Sequence, residues 1–173
     1  MSNRSEIILI LLIKFFGVFI PLFAYYYKFK KYNLNNNKSK YIGIIILLSV
    51  FFLLIHINDT LGNMYSMDIK IKEDHKLITS GIYKYIRHPV YLCSLLFLIG
   101  QQMILPNKIG IISSIIAFSL LYFIRIPAEE KMLLNHFGEE YENYIKNTNK
   151  IIPNFIPENI PKIYNPLFCN ISL

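Results

Sequence analysis

The residue types that do chemistry in proteins are concentrated in one short stretch of this chain, residues 75–91, which holds two histidines, three tyrosines, two lysines and an arginine between segments that are almost wholly apolar. Further along stand Arg125, Glu129 and Glu130. Crowding titratable groups beside apolar segments gains no stability, so a site is the economical explanation. The competing one is an interfacial loop whose tyrosines and lysines anchor at lipid headgroups. Arg125 and Glu129 lie one helical turn apart and can line the same wall, either as part of a site or as a plain salt bridge. His75 and His88 lack a tight ligand spacing and no cysteine cluster accompanies them, so no metal is expected. There is neither a serine in a nucleophile elbow nor a glycine-rich phosphate loop, which disfavours covalent hydrolysis and classical nucleotide binding.

The elements that must position these residues are apolar. At 173 residues the length predicts a single domain. Only 17% of residues are charged and 54% are hydrophobic, against about a quarter charged in a soluble domain. The surface therefore faces something other than water. A net charge of +7 is compatible with nucleic acid, but the basic residues flank apolar runs, which suits membrane headgroups and predicts no nucleic-acid partner. Cys93 and Cys169 make no disulfide framework. Cys93 reads as a packing residue, and Cys169 stands one residue too far from the end for a prenylation box.

Four apolar runs predict membrane spans near 7–27, 41–57, 90–105 and 109–126. The first and second form an N-terminal two-helix anchor over 1–60, with Lys14 snorkelling and His56 at the exit of the second span. Residues 28–40 form a polar loop with five lysines. Residues 67–72 alternate apolar and polar, as one arm of a small hairpin would. Pro106, Asn107 and Lys108 make a turn so short that the third and fourth spans must be antiparallel neighbours. That hairpin brings Arg87, His88 and Tyr91 to the membrane face of Arg125, Glu129 and Glu130. Pro127 disfavours helix at Ile126. Residues 128–146 read as a separate amphipathic helix, and the proline-rich 154–173 as an irregular tail. The whole predicts an all-α integral membrane protein: a four-span helical bundle with a catalytic region over 61–153 and a C-terminal amphipathic helix. Counting basic residues on the two faces gives eleven against six in favour of both termini being cytoplasmic.

Five motifs in order resemble one family. They are Leu61-Gly62 with Tyr65-Ser66; His75-x-Leu77-Ile78-Thr79-x-Gly81-x-Tyr83; Arg87-His88-Pro89-x-Tyr91; Arg125-x-x-x-Glu129-Glu130; and Phe137-Gly138-x-x-Tyr141-x-x-Tyr144. Together they look like the isoprenylcysteine carboxyl methyltransferase family, itself similar to the integral-membrane phospholipid methyltransferases. The likeness covers about residues 61–153. It departs at Cys93, where the family usually has glycine, and at Asn63-Met64, where a more basic, polar pair is common.

The resemblance implies a multi-span enzyme that binds S-adenosylmethionine at the cytoplasmic face and takes a lipid-like or prenylated acceptor from the bilayer. The membrane would be the endoplasmic reticulum in a eukaryote or the inner membrane in a bacterium. By the same resemblance His75, Lys76, Leu77, Ile78, Tyr83, His88, Pro89, Val90, Tyr91 and Glu129 would hold the cofactor. Arg125 would bind the acceptor's carboxylate, and Arg125, Glu129 and His88 would form the catalytic set. The physics agrees. A carboxylate is already ionised at neutral pH, so methyl transfer to it needs positioning and charge rather than a strong base. One arginine can orient it bidentately. A phospholipid amine acceptor remains the alternative, disfavoured by a lone arginine beside it. A non-catalytic or reductase-like membrane relative is the other.

Overall fold

The computed structural model describes residues 3–27, 37–62 and 77–153. The expected 67–72 strand, most of the 28–40 loop, His75, Lys76, Cys169 and the 154–173 tail lie outside the described residues.

Regular structure among the described residues is helical, apart from one isolated parallel bridge between Ile86 and Asn149. In chain order the helices are α1 (Asn3–Lys14), a π turn (Phe15–Phe19), α2 (Ile20–Tyr26), α3 (Asn37–Leu61), a 3₁₀ turn (Gly81–Lys84), α4 (Pro89–Ile104), α5 (Lys108–Leu120), a second π turn (Leu121–Arg125), α6 (Ile126–Phe137) and α7 (Glu139–Asn147). Three helical runs are long and apolar enough to cross a membrane: Ser5–Tyr26, Asn37–Leu61 and Lys108–Phe137. The expected third span is present as α4, an apolar helix of 16 residues. At ~1.5 Å per residue it rises about 24 Å, short of a ~30 Å hydrocarbon core.

The chain divides into two compact units, Met1–His56 with Val90–Ile126, and Ile57–Pro89 with Pro127–Leu173. In the first unit α1, its π turn and α2 pack on α5. Small residues set the closest approaches. A Cβ on Gly43 would stand 2.8 Å from the Gly100 carbonyl oxygen, so α3 and α4 touch backbone to backbone. Such contact is how helices associate when lipid removes the hydrophobic drive between them. Cys93 is buried, as a packing residue should be. Asn107 caps α5, accepting from the Gly110 amide, and donates to the Leu105 carbonyl at 3.0 Å. This is the turn that the short connection demanded. Lys14 is exposed rather than turned inward.

Three expectations are corrected. The second helix begins at Asn37 and runs to Leu61, so His56 lies within it and not at its exit. Pro127 does not end the fourth span. The preceding π turn lets Ile126 donate to the Leu121 carbonyl, and the helix continues unbroken to Phe137. The same device precedes Pro21, where Ile20 donates to the Phe15 carbonyl. A proline has no N–H to give, and a wide turn placed before it re-registers the ladder without a break. Finally, 128–146 is not one separate helix. Its first part continues the span as α6, and Gly138, at φ +53°, ends α6 before α7 begins.

Candidate active site

The second unit holds a dense ionic cluster. Residues 86–88 run beside 149–150, with the Arg87 amide donating to the Asn149 carbonyl at 2.9 Å and the His88 amide to the Lys150 carbonyl at 3.0 Å. This pairing fixes the direction in which two consecutive side chains leave the backbone. Arg87 reaches Glu130 on α6, its Nε donating to Oε1 at 3.2 Å and Nη2 to the same oxygen at 2.8 Å. Its Nη1 donates to the carbonyls of Ile145, at 3.1 Å, and Thr148 at the end of α7. The His88 ring lies between two carboxylates, with Nε2 3.2 Å from Glu130 and Nδ1 3.7 Å from Glu129. Lys150 Nζ approaches the other Glu130 oxygen at 3.0 Å. Glu130 thus faces three basic groups and is tied into the scaffold. Glu129 is the more exposed of the two carboxylates, 28% against 16%.

Tyrosines close this unit from α7. The Tyr144 hydroxyl donates to the Tyr83 carbonyl at 2.6 Å, bracing the 3₁₀ turn that leads into Arg87. Tyr141 is buried and its ring lies 6.0 Å from that of Tyr144. Burial raises the proton affinity of both phenols, and at Tyr141 the nearby Glu130 charge adds to it. Both stay neutral donors throughout the physiological range. The Tyr141 hydroxyl is buried with no hydrogen-bond partner among the described residues. Leu77 and Ile78 are half-buried on the irregular segment before the turn.

The first unit carries the remaining site residues. Arg125, the last residue of the second π turn, donates from Nε to the Tyr91 hydroxyl at 3.1 Å. Its Nη1 lies 3.7 Å from Oε1 of Glu6, and the two side chains are only 11% and 8% exposed. Val90 is half-buried on α4, just past the buried Pro89 that starts the helix.

The turn-imposed pairing is therefore present: Arg87 and His88 meet Glu129 and Glu130, and Tyr91 meets Arg125. His88 and Glu129 are together in the second unit, while Tyr91 belongs to the first. Arg125 and Glu129, expected on one wall, take different ionic partners, Glu6 and His88. Three participants escape a reading of the sequence. Lys150 and the 86–149 bridge leave no pattern. Glu6 leaves one signal, being the only acidic residue among the first 58. Among the described residues, no three His, Cys, Asp or Glu side chains are grouped to hold a metal.

Comparison with known proteins agrees with the motifs. The sequence profile of the isoprenylcysteine carboxyl methyltransferase family matches residues 41–135. A probable protein-S-isoprenylcysteine O-methyltransferase of Oryza sativa subsp. indica is 34% identical over 96 residues, covering 54% of this chain and 50% of the relative. The protein-S-isoprenylcysteine O-methyltransferase of Schizosaccharomyces pombe is 37% identical over 84 residues, 49% of this chain and 36% of the relative. A solved structure of the eukaryotic intramembrane Ras methyltransferase is similar with TM-score 0.60 and 31% identity, over 66% of this chain and 42% of that one. The chain spans about half the length, or less, of the relatives it matches. With the profile taking in more than half of its residues, the chain belongs to the isoprenylcysteine carboxyl methyltransferase family.

Proposed function

We propose that this chain is a membrane methyltransferase that uses S-adenosylmethionine to methylate the carboxylate of a prenylcysteine-like lipidic acceptor. The observation that carries the proposal is Arg125, a mostly buried guanidinium in an apolar helical unit, oriented by the Tyr91 hydroxyl and already facing a carboxylate. A guanidinium so placed suits a planar acid arriving on an apolar tail.

The residues present fit the cofactor. The Tyr141 hydroxyl is a buried donor that the described residues leave unmatched, and Glu129 is a partly accessible carboxylate beside His88. When bound, S-adenosylmethionine supplies a methyl group on a cationic sulfonium. Glu129 would offset positive charge, and His75, Lys76, Leu77, Ile78, Tyr83, His88, Pro89, Val90 and Tyr91 would contribute the remaining contacts. Arg125 would hold the acceptor acid by its carboxylate. No side chain need take a proton, because the acceptor is ionised before it binds. The chain's own contribution is to hold, orient and exclude water.

In this proposal α4 and the three longer helices are four spans, with both termini and the site on the cytoplasmic side. The second reading, an amine acceptor, gains from one observation: Glu6 beside Arg125 offsets the repulsion that a lone guanidinium would exert on an ammonium. The deciding assay measures methyl transfer from labelled cofactor to a farnesylcysteine analogue, with phosphatidylethanolamine as the competing acceptor. Labelled ester is the expected product. Labelled phosphatidyl-N-methylethanolamine without ester would overturn the carboxyl proposal.

A further inference from the structure

We infer that Glu6 is a specificity-determining residue, a resident carboxylate that occupies Arg125 until the acceptor's own carboxylate replaces it. Glu6 lies in the first turn of α1, where its neighbours Ile7 and Ile8 are more than half exposed, as lipid-facing residues of a span would be. An acid at a helix start has an easy home on the polar side, stabilised by the helix dipole and by water. Glu6 is instead buried, 3.7 Å from Arg125 Nη1. A buried carboxylate is costly unless a cation compensates it, and Arg125 is such a cation. The reverse also holds. An arginine kept ready for an acid is a buried cation in the empty enzyme, and Glu6 lowers the cost of holding it there.

The geometry makes the pair exchangeable. Charge-assisted N–H···O bonds close to about 2.7–2.9 Å, and the Glu6 approach is an ångström or so longer. Tyr91 holds the guanidinium through Nε, a different nitrogen from the Nη1 that faces Glu6. A ligand acid able to form short bonds to a guanidinium already oriented would outcompete Glu6 without disturbing the orientation. Weaker hydrogen-bonding anions, such as the phosphodiesters that surround any membrane protein, would not. Glu6 therefore raises the acceptor KM and in return keeps bulk lipid anions off Arg125. This deepens the proposed function, on whose assignment of Arg125 to the acceptor carboxylate it rests.

The test is equilibrium binding of N-acetyl-farnesylcysteine and of its methyl ester to the full chain in detergent, for the parent, Glu6→Gln and Glu6→Asp. Steady-state kinetics with the acid run alongside. Glu6→Gln should bind the acid at least about tenfold more tightly and the neutral ester unchanged. The acceptor KM should fall likewise, with kcat and cofactor affinity held. A residue that merely orients Arg125 would give the opposite, weaker acid binding restored in part by Glu6→Asp, and that result overturns the inference. So does unchanged acid binding. If Glu6→Gln does not fold, Glu6→Asp decides, since its shortened reach should tighten the acid by a smaller factor and leave the ester alone. Failure of the proposed function reads differently: the parent would bind neither ligand, or would bind both without transferring a methyl group to the acid.

Discussion

Replacing Arg87 by alanine should release the end of α7 from the loop that carries His88. Arg87 and Glu130 are 7% and 16% exposed, so solvent screens their pair little. Removing one partner of a buried pair typically costs about 3–5 kcal/mol, but Glu130 would not be left alone. Lys150 stays at 3.0 Å and His88 at 3.2 Å, which lowers the share of the ion pair to about 1–2 kcal/mol. The carbonyls of Ile145 and Thr148 lose a charged donor as well, at about 1 kcal/mol each for partly buried groups. The sum, about 3–4 kcal/mol, corresponds to a ~100-fold or greater loss of protection in a local opening. Arg87→Lys keeps the charge but cannot serve Glu130 and two carbonyls in one plane, so it should lose about half as much. Amide hydrogen exchange over residues 139–150 in detergent micelles reads this locally, without assuming that two compact units unfold as one. Protection falling less than about threefold in Arg87→Ala would refute the assignment. A lysine variant equal to the parent would show that charge alone matters.

Arg125→Ala should lower acceptor kcat/KM at least ~30-fold, from the ~2–5 kcal/mol typical of a desolvated carboxylate partner, while His88→Ala should weaken the cofactor more than the acceptor. Calorimetric cofactor binding alongside two-substrate kinetics checks both, and lost cofactor affinity with normal acceptor kinetics in Arg125→Ala would reverse the roles. Gly43→Ala should destabilise the first unit by about 1–3 kcal/mol, because its Cβ meets the Gly100 carbonyl oxygen at 2.8 Å. Gly62→Ala meets nothing within 4 Å among the described residues and bears the cost of its φ of +51°, about 1 kcal/mol; thermal melts in one detergent compare the two. The raised proton affinities of Tyr141 and Tyr144 mean that the unfolded phenols ionise first, near their ordinary value of 10.0. Stability of the second unit should therefore be full below about pH 10 and fall above it, by up to ~1.4 kcal/mol per pH unit for each tyrosine. The double Phe variant should flatten that alkaline slope in a pH series of melts.

What the sequence disclosed follows from interaction range. The contact between His88 and Glu129 spans two helices, yet the three-residue turn at 106–108 left the chain no other way to run. Long apolar runs disclosed the helices for a similar reason, since composition alone decides what can cross a bilayer. The pairing of Glu6 was illegible because its partner is far away in sequence and no turn forces them together. Beside an apolar run, one acid looks like an ordinary helix-start preference. The 86–149 bridge involves too few residues to create a period. Pro127 misled because the rule that proline disfavours helix before it concerns the α register, and the chain escapes by leaving that register for one turn.

That escape also explains how Arg125 turns inward. Along α5 the buried positions Gly110, Ser113, Ser114 and Ala117 keep helical spacing through Leu121 and then jump to Ile126. In a regular α-helix, at about 100° per residue, Arg125 would lie about 40° and Ile126 about 140° from Leu121, so Ile126 would leave the face that Leu121 buries. Across the π turn both are inward, Ile126 fully buried and Arg125 nearly so, while Phe123 and Ile124 point out. The extra residue lets a cation enter the packed face without displacing the apolar side chain that seals it. Pro127 then fixes the bulge, since it has no N–H with which to restore the α ladder at that point. A conserved register would have forced a choice between packing and charge, and the proline-bound π turn removes the choice.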